Sequence, residues 1–258
     1  MSRFVNLEFD GASEEKSLGA PESIVLDEHH YMREAQNAYE NADFEKGLRY
    51  FAKVLEFNPQ NAAAWSAQVR MLIELAEYRE AKIWADKALE RFPDEPDLLA
   101  AKAVALGRSG DLDAALAFSD ASIEERGDTP YVWLARADVL LARKESLADY
   151  CFDKAMMLAR GNWFVAWLAA RIRSFYKQFV LALNLLQKAI ASNAGSYILW
   201  MDLGRCQEAL GFLGPAASSF AQARQLNPQS DEAGDALMRV KAGGVGERLL
   251  GWCRRLKK

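Results

Sequence analysis

The chain has 258 residues, of which 51% are hydrophobic and 26% are charged, and its formal net charge is −4. This length and apolar content are enough to bury a large core, while the acidic balance argues against a nucleic-acid-binding protein, which needs an extended basic surface. No run of about 18 to 20 apolar residues and no basic segment followed by an apolar stretch is visible, so the sequence predicts neither a membrane-spanning helix nor a secretory signal, and we expect a cytoplasmic protein.

Residues 1–27 form an acidic N-terminal segment that we expect to be flexible. Within residues 1–30, two bases oppose seven acids, a net charge of −5, and Gly, Ser and Pro are interspersed among them. Such a composition does not support a packed core. The stretch RFVNLEF is an exception, because Val5, Leu7 and Phe9 alternate with polar residues, as in a strand that adds to a partner. A plain flexible tail and a partner-binding strand are the two interpretations.

The chain from residue 28 to residue 230 is periodic. A small residue recurs every 34 positions, with one interval of 33, at Gly47, Ala81, Ala115, Ala148, Ala182 and Ala216. A fixed period of this length divides a chain into units that each hold one supersecondary element. The predicted units are 28–61, 62–95, 96–129, 130–162, 163–196 and 197–230, of which the fourth has lost one residue.

Each unit contains two helical patterns joined by a short turn, and the small residue at the start of the second helix permits close helix packing. Residues that cap helices stand just before most of the first helices and before residue 231: Asp27, Asn61, Thr129, Asn162, Ser196 and Ser230. Their side-chain oxygens accept hydrogen bonds from the free backbone N–H groups of the first turn. Residues 231–242 predict a further helix, which covers the last apolar face.

The repeat resembles the tetratricopeptide repeat (TPR), whose pattern of aromatic, small and proline residues spans two antiparallel helices. The sixth unit is the clearest copy, with residues on the pattern at Trp200, Leu203, Gly204, Ala216, Phe220, Ala223 and Pro228. The resemblance covers residues 28–242. It implies an all-α fold, a right-handed superhelical solenoid of helix-turn-helix repeats with a capping helix at 231–242, and binding of proteins in a concave groove.

By the same resemblance, the first helix of each unit lines the concave groove. Projecting that pattern onto this sequence gives the candidate partner-binding residues Arg70, Val104, Arg108, Leu134, Asp138, Trp167, Arg171, Met201 and Arg205. A small and apolar floor edged by arginines suits an amphipathic helix or an apolar peptide, with the arginines holding carboxylates or backbone carbonyls. The opposing interpretation places the apolar residues in the core and the arginines in ion pairs within the array.

Residues 243–258 follow the predicted cap as a basic addition. Gly243 and Gly244 predict a hinge, and the residues beyond it have the spacing of an amphipathic helix. Those that would dock or touch a membrane are Leu249, Trp252, Leu256, Arg254 and Arg255. Three interpretations compete: the helix folds back as a second cap, makes weak peripheral contact with a membrane surface, or docks on another protein or a neighbouring protomer.

No catalytic or metal-binding constellation stands out. The three cysteines are widely spaced, and the only histidines are His29 and His30. An enzyme would have to use one of them with Asp27 and Glu28, acids that helix capping explains more simply. We therefore expect a non-enzymatic scaffold or adapter, without metal or cofactor, that binds a protein or peptide and supports assembly of a larger complex. The alternatives are a self-associating structural scaffold and a peripheral membrane assembly factor that uses the basic C-terminal helix.

Overall fold

The computed structural model describes residues 27–125 and 127–255, and it describes side chains as far as residue 243. Within these residues all regular structure is helical, which confirms the all-α prediction. The chain divides into two compact units: unit 1 comprises residues 1–127 and unit 2 comprises residues 128–258. Residues 1–26, with the RFVNLEF stretch, lie outside the described residues.

The described part of each unit contains three helical hairpins, and unit 2 adds a final helix. The helices of unit 1 are α1 (Glu28–Glu40), α2 (Phe44–Phe57), α3 (Ala62–Glu74), α4 (Tyr78–Leu89), α5 (Pro96–Arg108) and α6 (Leu112–Glu124). Those of unit 2 are α7 (Pro130–Ala142), α8 (Ala148–Ala159), α9 (Trp163–Phe175), α10 (Phe179–Ser192), α11 (Tyr197–Ala209), α12 (Leu213–Leu226) and α13 (Asp231–Arg255). Each hairpin lies within one of the six predicted repeats.

Most of the predicted capping residues start their helices as expected. The carboxylate of Asp27 accepts a hydrogen bond from the backbone N–H of His30 at 2.8 Å, and the side-chain oxygen of Asn61 accepts one from Ala64 at 2.9 Å. Equivalent bonds to backbone N–H groups are made by Thr129, Asn162 and Ser230. Ser196 makes no side-chain capping bond. Local side-chain chemistry therefore sets the starts of the first helices.

The two helices of each hairpin pack closely at the recurring small residue, which is buried in every case. A further close approach in the sixth repeat lies at Gly204, on the first helix α11. A Cβ atom added to Gly204 would lie 2.6 Å from Cε1 of Phe220, a ring that is itself fully buried. Because that ring has no free volume to move into, only glycine permits this helix approach.

The turn inside each hairpin contains one residue with a left-handed backbone conformation. These residues are Ala42, Ala76, Gly110, Lys144, Lys177 and Gly211. In five hairpins this residue precedes the small residue by five positions, whereas Lys144 precedes Ala148 by four. The residue missing from the fourth repeat is therefore missing between Lys144 and Ala148, and α8 begins only at Ala148, after a connection that comprises residues 143–147.

Helix α13 differs from the sequence prediction. It runs without a break from Asp231 to Arg255, through Gly243 and Gly244, where the sequence predicts a hinge. Its first part packs as a cap, with Ala233, Ala236, Leu237 and Val240 buried. Glycine weakens a helix by about 1 kcal/mol relative to alanine but does not block it, so the helix can continue across both glycines.

One buried amide in unit 1 is not satisfied. The side chain of Gln68, on α3, is 1% exposed, and neither its nitrogen nor its oxygen has a hydrogen-bond partner. The equivalent place in the sixth repeat, 135 positions later, holds Leu203, which is also buried. The repeat therefore accommodates an apolar side chain of similar size at this place.

We expect the substitution Gln68→Leu to raise the free energy of unfolding by about 1 to 3 kcal/mol, because it removes a buried polar group without opening a cavity. Urea unfolding followed by circular dichroism measures this change. The reciprocal substitution Leu203→Gln is the control and should destabilise the protein by a similar amount. Unchanged or lower stability of Gln68→Leu would mean that an internal water satisfies the amide.

Candidate functional site

The predicted groove residues of unit 1 lie on α3 and α5 and are only partly accessible. Arg70 donates a hydrogen bond from Nη2 to the hydroxyl of Tyr39 at 3.1 Å, and its guanidinium carbon lies 5.2 Å from the centre of that ring. Val104 is buried, and Arg108 is half-buried at the end of α5. Arg70 therefore joins α3 to α1, and this contact holds its guanidinium within the unit.

The predicted apolar floor is not accessible in unit 2. Leu134, Trp167 and Met201 are exposed by 1%, 0% and 1% respectively, so all three side chains belong to the core. Asp138 is buried as well and accepts a hydrogen bond from the hydroxyl of Tyr176 at 2.8 Å. These residues differ from the expected open floor because successive first helices pack tightly enough to cover side chains that a helical projection places on the groove side.

Polar side chains around Asp202 form a connected network, which we call the Asp202 network. The indole nitrogen of Trp167 donates to Oδ2 of Asp202 at 2.7 Å, and Nη1 of Arg171 lies 3.8 Å from the same oxygen. Arg205 donates to Oδ1 of Asp202 at 2.5 Å and also contacts the carboxylate of Glu232 on α13. The network thus connects the first helices α9 and α11 to the start of α13.

The charges of the Asp202 network hold its arginines in the ionised form. Burial lowers the pKa of Arg205, but the carboxylates of Asp202 and Glu232 outweigh that effect and raise it overall. Arg171 additionally stacks its guanidinium 5.1 Å from the centre of the Trp167 ring. Two permanent positive charges therefore share the buried Asp202, whereas Glu232 has a side chain that is 66% exposed.

A third arginine continues the same line on α13. Arg239 makes two hydrogen bonds to the carboxylate of Glu208, at 2.9 and 2.8 Å, and these bonds lower the pKa of Glu208. Arg171, Arg205 and Arg239 are separated by 34 residues each, so they occupy the same place on α9, α11 and α13. We call these three residues the arginine column. The sequence analysis missed Arg239 because it ended the groove at the sixth repeat, although the repeat period points to it.

The candidate catalytic and redox groups are occupied or unreactive. Asp27 caps α1, and the carboxylate of Glu28 accepts hydrogen bonds from the amides of Asn58 and Asn61. Burial raises the pKa of the thiols of Cys151 and Cys206, which disfavours the nucleophilic thiolate. Among the described residues, no group of His, Cys, Asp or Glu side chains has the arrangement of a metal site.

The predicted C-terminal contact residues are only partly covered by the structure. Leu249, Trp252, Arg254 and Arg255 lie in the backbone of α13, but their side chains are outside the described residues, as is all of Leu256. Their docking or membrane contact therefore stays a prediction. None of the helices in the described part of the chain is long and apolar enough to cross a bilayer.

Comparison with known proteins identifies the repeat. Residues 38–105 match the tetratricopeptide repeat family. The fold is similar to that of yeast Tom70 (20% identity, TM-score 0.54, 87% of this chain and 48% of that chain). It is also similar to a chain of the APC/C hetero-tetramer Cut9–Hcn1 (14% identity, TM-score 0.51, 83% of this chain and 43% of that chain). A third similar structure is the human IFIT1 dimer with m7Gppp-AAAA (18% identity, TM-score 0.52, 84% of this chain and 56% of that chain).

These similarities concern the fold alone. The chain spans about half the length of each of these three structures. No curated protein matches the chain by sequence. One of the three structures contains m7Gppp-AAAA, so a similar fold does not exclude nucleic-acid binding. We expect none for this chain because of its acidic net charge.

The Asp202 network is testable by removing its shared charge. We expect Asp202→Asn to lower the free energy of unfolding by about 2 kcal/mol, because Arg171 and Arg205 lose the buried carboxylate that both contact. Urea unfolding measures the loss. The control is Glu208→Gln, whose partner Arg239 is 60% exposed, so that its loss should stay below about 1 kcal/mol. Equal effects of the two substitutions would contradict a central role for Asp202.

Proposed function

We propose that this chain, a member of the tetratricopeptide repeat family, is a non-enzymatic scaffold that binds a peptide or amphipathic helix of a partner protein and supports assembly of a larger complex. The arginine column of unit 2 is the observation that carries this proposal. It presents three guanidinium groups in register on helices α9, α11 and α13. Guanidinium groups recognise carboxylates through paired hydrogen bonds.

The carboxylates that now pair with the column differ in how easily they can be replaced. Asp202 is buried and holds Arg171 and Arg205 in place, whereas Glu232 is largely exposed and lies at the start of α13. An exposed ion pair contributes less than about 1 kcal/mol, so a partner carboxylate can displace Glu232 at little cost. Glu208 holds Arg239 in the same exchangeable manner, since Arg239 is mostly exposed.

This pattern favours a partner segment that carries carboxylates. The apolar anchors that the sequence predicted are buried in unit 2, so what the arginine column offers a partner is its guanidinium groups, which are now paired with Asp202, Glu208 and Glu232. Neighbouring helices pack about 8 to 10 Å apart, and the carboxylates of the partner would have to repeat at that spacing. A helix that places acids one heptad apart, about 10.5 Å, satisfies this condition.

The similarity to known structures supports a scaffold function at the level of the fold. One of the similar folds is part of the Cut9–Hcn1 hetero-tetramer. The described residues offer no activated nucleophile, and both described cysteines are buried with raised thiol pKa values. Binding is therefore the function that the side chains support best.

Affinity capture with the full chain tests the proposal. We expect the double variant Arg205→Gln, Arg239→Gln to capture its main partner at least tenfold less, because two charge-assisted hydrogen-bonding groups are removed. Quantitative mass spectrometry of the captured proteins measures the loss. The matched control is Lys188→Gln with Arg224→Gln, which removes two exposed bases from the second helices α10 and α12.

The control variant should retain the partner, and circular dichroism should show that both double variants are folded. If the folded Arg205→Gln, Arg239→Gln variant captures the same proteins as the unaltered chain, the arginine column is not the binding site. We would then reject this face as the site of scaffold function.

A further inference from the structure

The turns of unit 2 expose apolar side chains in three successive hairpins. Leu147 and Tyr150 lie at the start of α8, Val180 and Leu181 in the first turn of α10, and Phe212 immediately before α12. Leu147, Val180 and Phe212 are exposed by 63%, 60% and 53%. We call residues 143–150, 176–182 and 210–216 the turn edge. In unit 1, by contrast, the exposed large apolar residues are Phe57 and Ile83, which lie outside the turns.

The same turns also lack the helix caps that unit 1 uses. In unit 1 the residues before the second helices are Asp43, Glu77 and Asp111, and the carboxylates of Asp43 and Asp111 accept backbone N–H groups of α2 and α6. In unit 2 the residues that directly precede the second helices are Leu147, Gln178 and Phe212, and none makes a side-chain capping bond. In the fourth hairpin the acid equivalent to Asp43 is Glu145, which lies two residues before Leu147. Three helix starts on one edge therefore keep N–H groups without a side-chain acceptor, and two of the residues that precede them, Leu147 and Phe212, are apolar and exposed.

The charge of the turn edge is opposite to that of the unit 1 turns. Residues 41–47, 75–81 and 109–115 carry two bases against six acids, a net charge of −4. The matching residues 143–149, 176–182 and 210–216 carry three bases against two acids, a net charge of +1. Both of those acids are already paired, Glu145 with Arg143 and Asp149 with Arg173. Lys144 and Lys177 are exposed, and helix starts add partial positive charge.

Contacts between neighbouring hairpins bring these turns side by side. Nη2 of Arg173, near the end of α9, lies 2.5 Å from the carboxylate of Asp149 at the start of α8. On the other side, the hydroxyl of Ser174 lies 3.3 Å from the sulfur of Cys206 on α11. Helices that pack directly on one another are about 8 to 10 Å apart, and we expect the apolar residues of the turn edge, whose helices are joined through α9 and α11, to recur at a similar interval. One heptad of an α-helix has a closely similar length, about 10.5 Å.

We propose that the turn edge is a second docking surface, which binds an acidic amphipathic helix of a partner protein. Apolar side chains one heptad apart on that helix would contact Leu147, Val180 with Leu181, and Phe212 in turn. Its carboxylates would pair with Lys144 and Lys177 and accept N–H groups at the starts of α8, α10 and α12. This surface is separate from the arginine column, which lies on the first helices, and it does not depend on the function proposed above.

A designed peptide provides the probe for this surface. It is a synthetic helix of about 21 residues, with leucine at two positions of each heptad and glutamate and alanine elsewhere, which spans about 30 Å. Fluorescence anisotropy with the full chain measures its binding. We expect Val180→Ser with Leu181→Ser and Phe212→Ser to weaken binding at least tenfold, and Lys144→Glu with Lys177→Glu to do the same.

Matched controls distinguish specific binding at the turn edge from nonspecific hydrophobic association. Met157 and Met238 are as exposed as the edge residues but lie outside the turn edge, so Met157→Ser with Met238→Ser should leave binding unchanged. Lys188→Gln with Arg224→Gln, which removes two exposed bases outside the turn edge, should also leave it unchanged. A scrambled peptide of identical composition should bind at least tenfold more weakly, and melting curves should show that every variant is folded.

Three results would overturn the proposal. Equal binding of the scrambled peptide would mean that the interaction depends only on the amino-acid composition of the peptide. Unchanged binding by the folded edge variants, or an equal loss caused by Lys188→Gln with Arg224→Gln, would place the peptide elsewhere. Sedimentation of the chain with phosphatidylcholine vesicles that contain phosphatidylserine, abolished by the edge substitutions and accompanied by no peptide binding, would assign the edge to a lipid surface instead.

Discussion

The close approach of the two helices in each hairpin is the constraint on which the rest of this structure depends. A buried small residue recurs near the start of the second helix in every repeat, and in the sixth repeat the Phe220 ring also leaves no room for a Cβ atom on Gly204 of the first helix. Because each hairpin is fixed in this way, equivalent positions of successive hairpins occupy equivalent places. A residue type repeated at the period of the sequence then becomes a line of side chains on one face.

The arginine column is such a line of side chains. Its ion pairs also contribute to the stability of unit 2. Three guanidinium groups on adjacent helices would repel one another if they stood alone. Asp202, Glu208 and Glu232 offset that repulsion, and the three acids come from different positions of the repeat. The buried carboxylate of Asp202 fixes the positions of Arg171 and Arg205, while Glu208 and Glu232 neutralise charge on the accessible side of the column. These ion pairs therefore hold the three guanidinium groups in place within unit 2.

The sequence predicted the fold in detail, because caps, small residues and turns are local signals. Asn61 and Thr129 start their helices as their side-chain chemistry dictates, and the phase of the small residues locates every hairpin. Burial was less predictable. A helical projection shows that Leu134 and Met201 face the groove, but not how closely the next helix covers them. The break expected at Gly243 did not occur, because glycine weakens a helix without blocking it, and the glycine pair alone does not decide where α13 ends.

The contrast between the two units is not explained by stability. A capping residue stabilises a helix by about 1 kcal/mol, and a domain is stable by only about 5 to 15 kcal/mol. Unit 2 nevertheless has no capping side chain at the start of α8, α10 or α12. Exposed Leu147 and Phe212 directly precede two of these helices, whereas Asp43 and Asp111 cap the equivalent helices of unit 1. A repeat that can be capped with a single carboxylate, as Asp43 and Asp111 demonstrate, has no structural need for this substitution. The physical explanation that remains is recognition: the edge gives up local stability and keeps apolar surface and positive charge available for a partner.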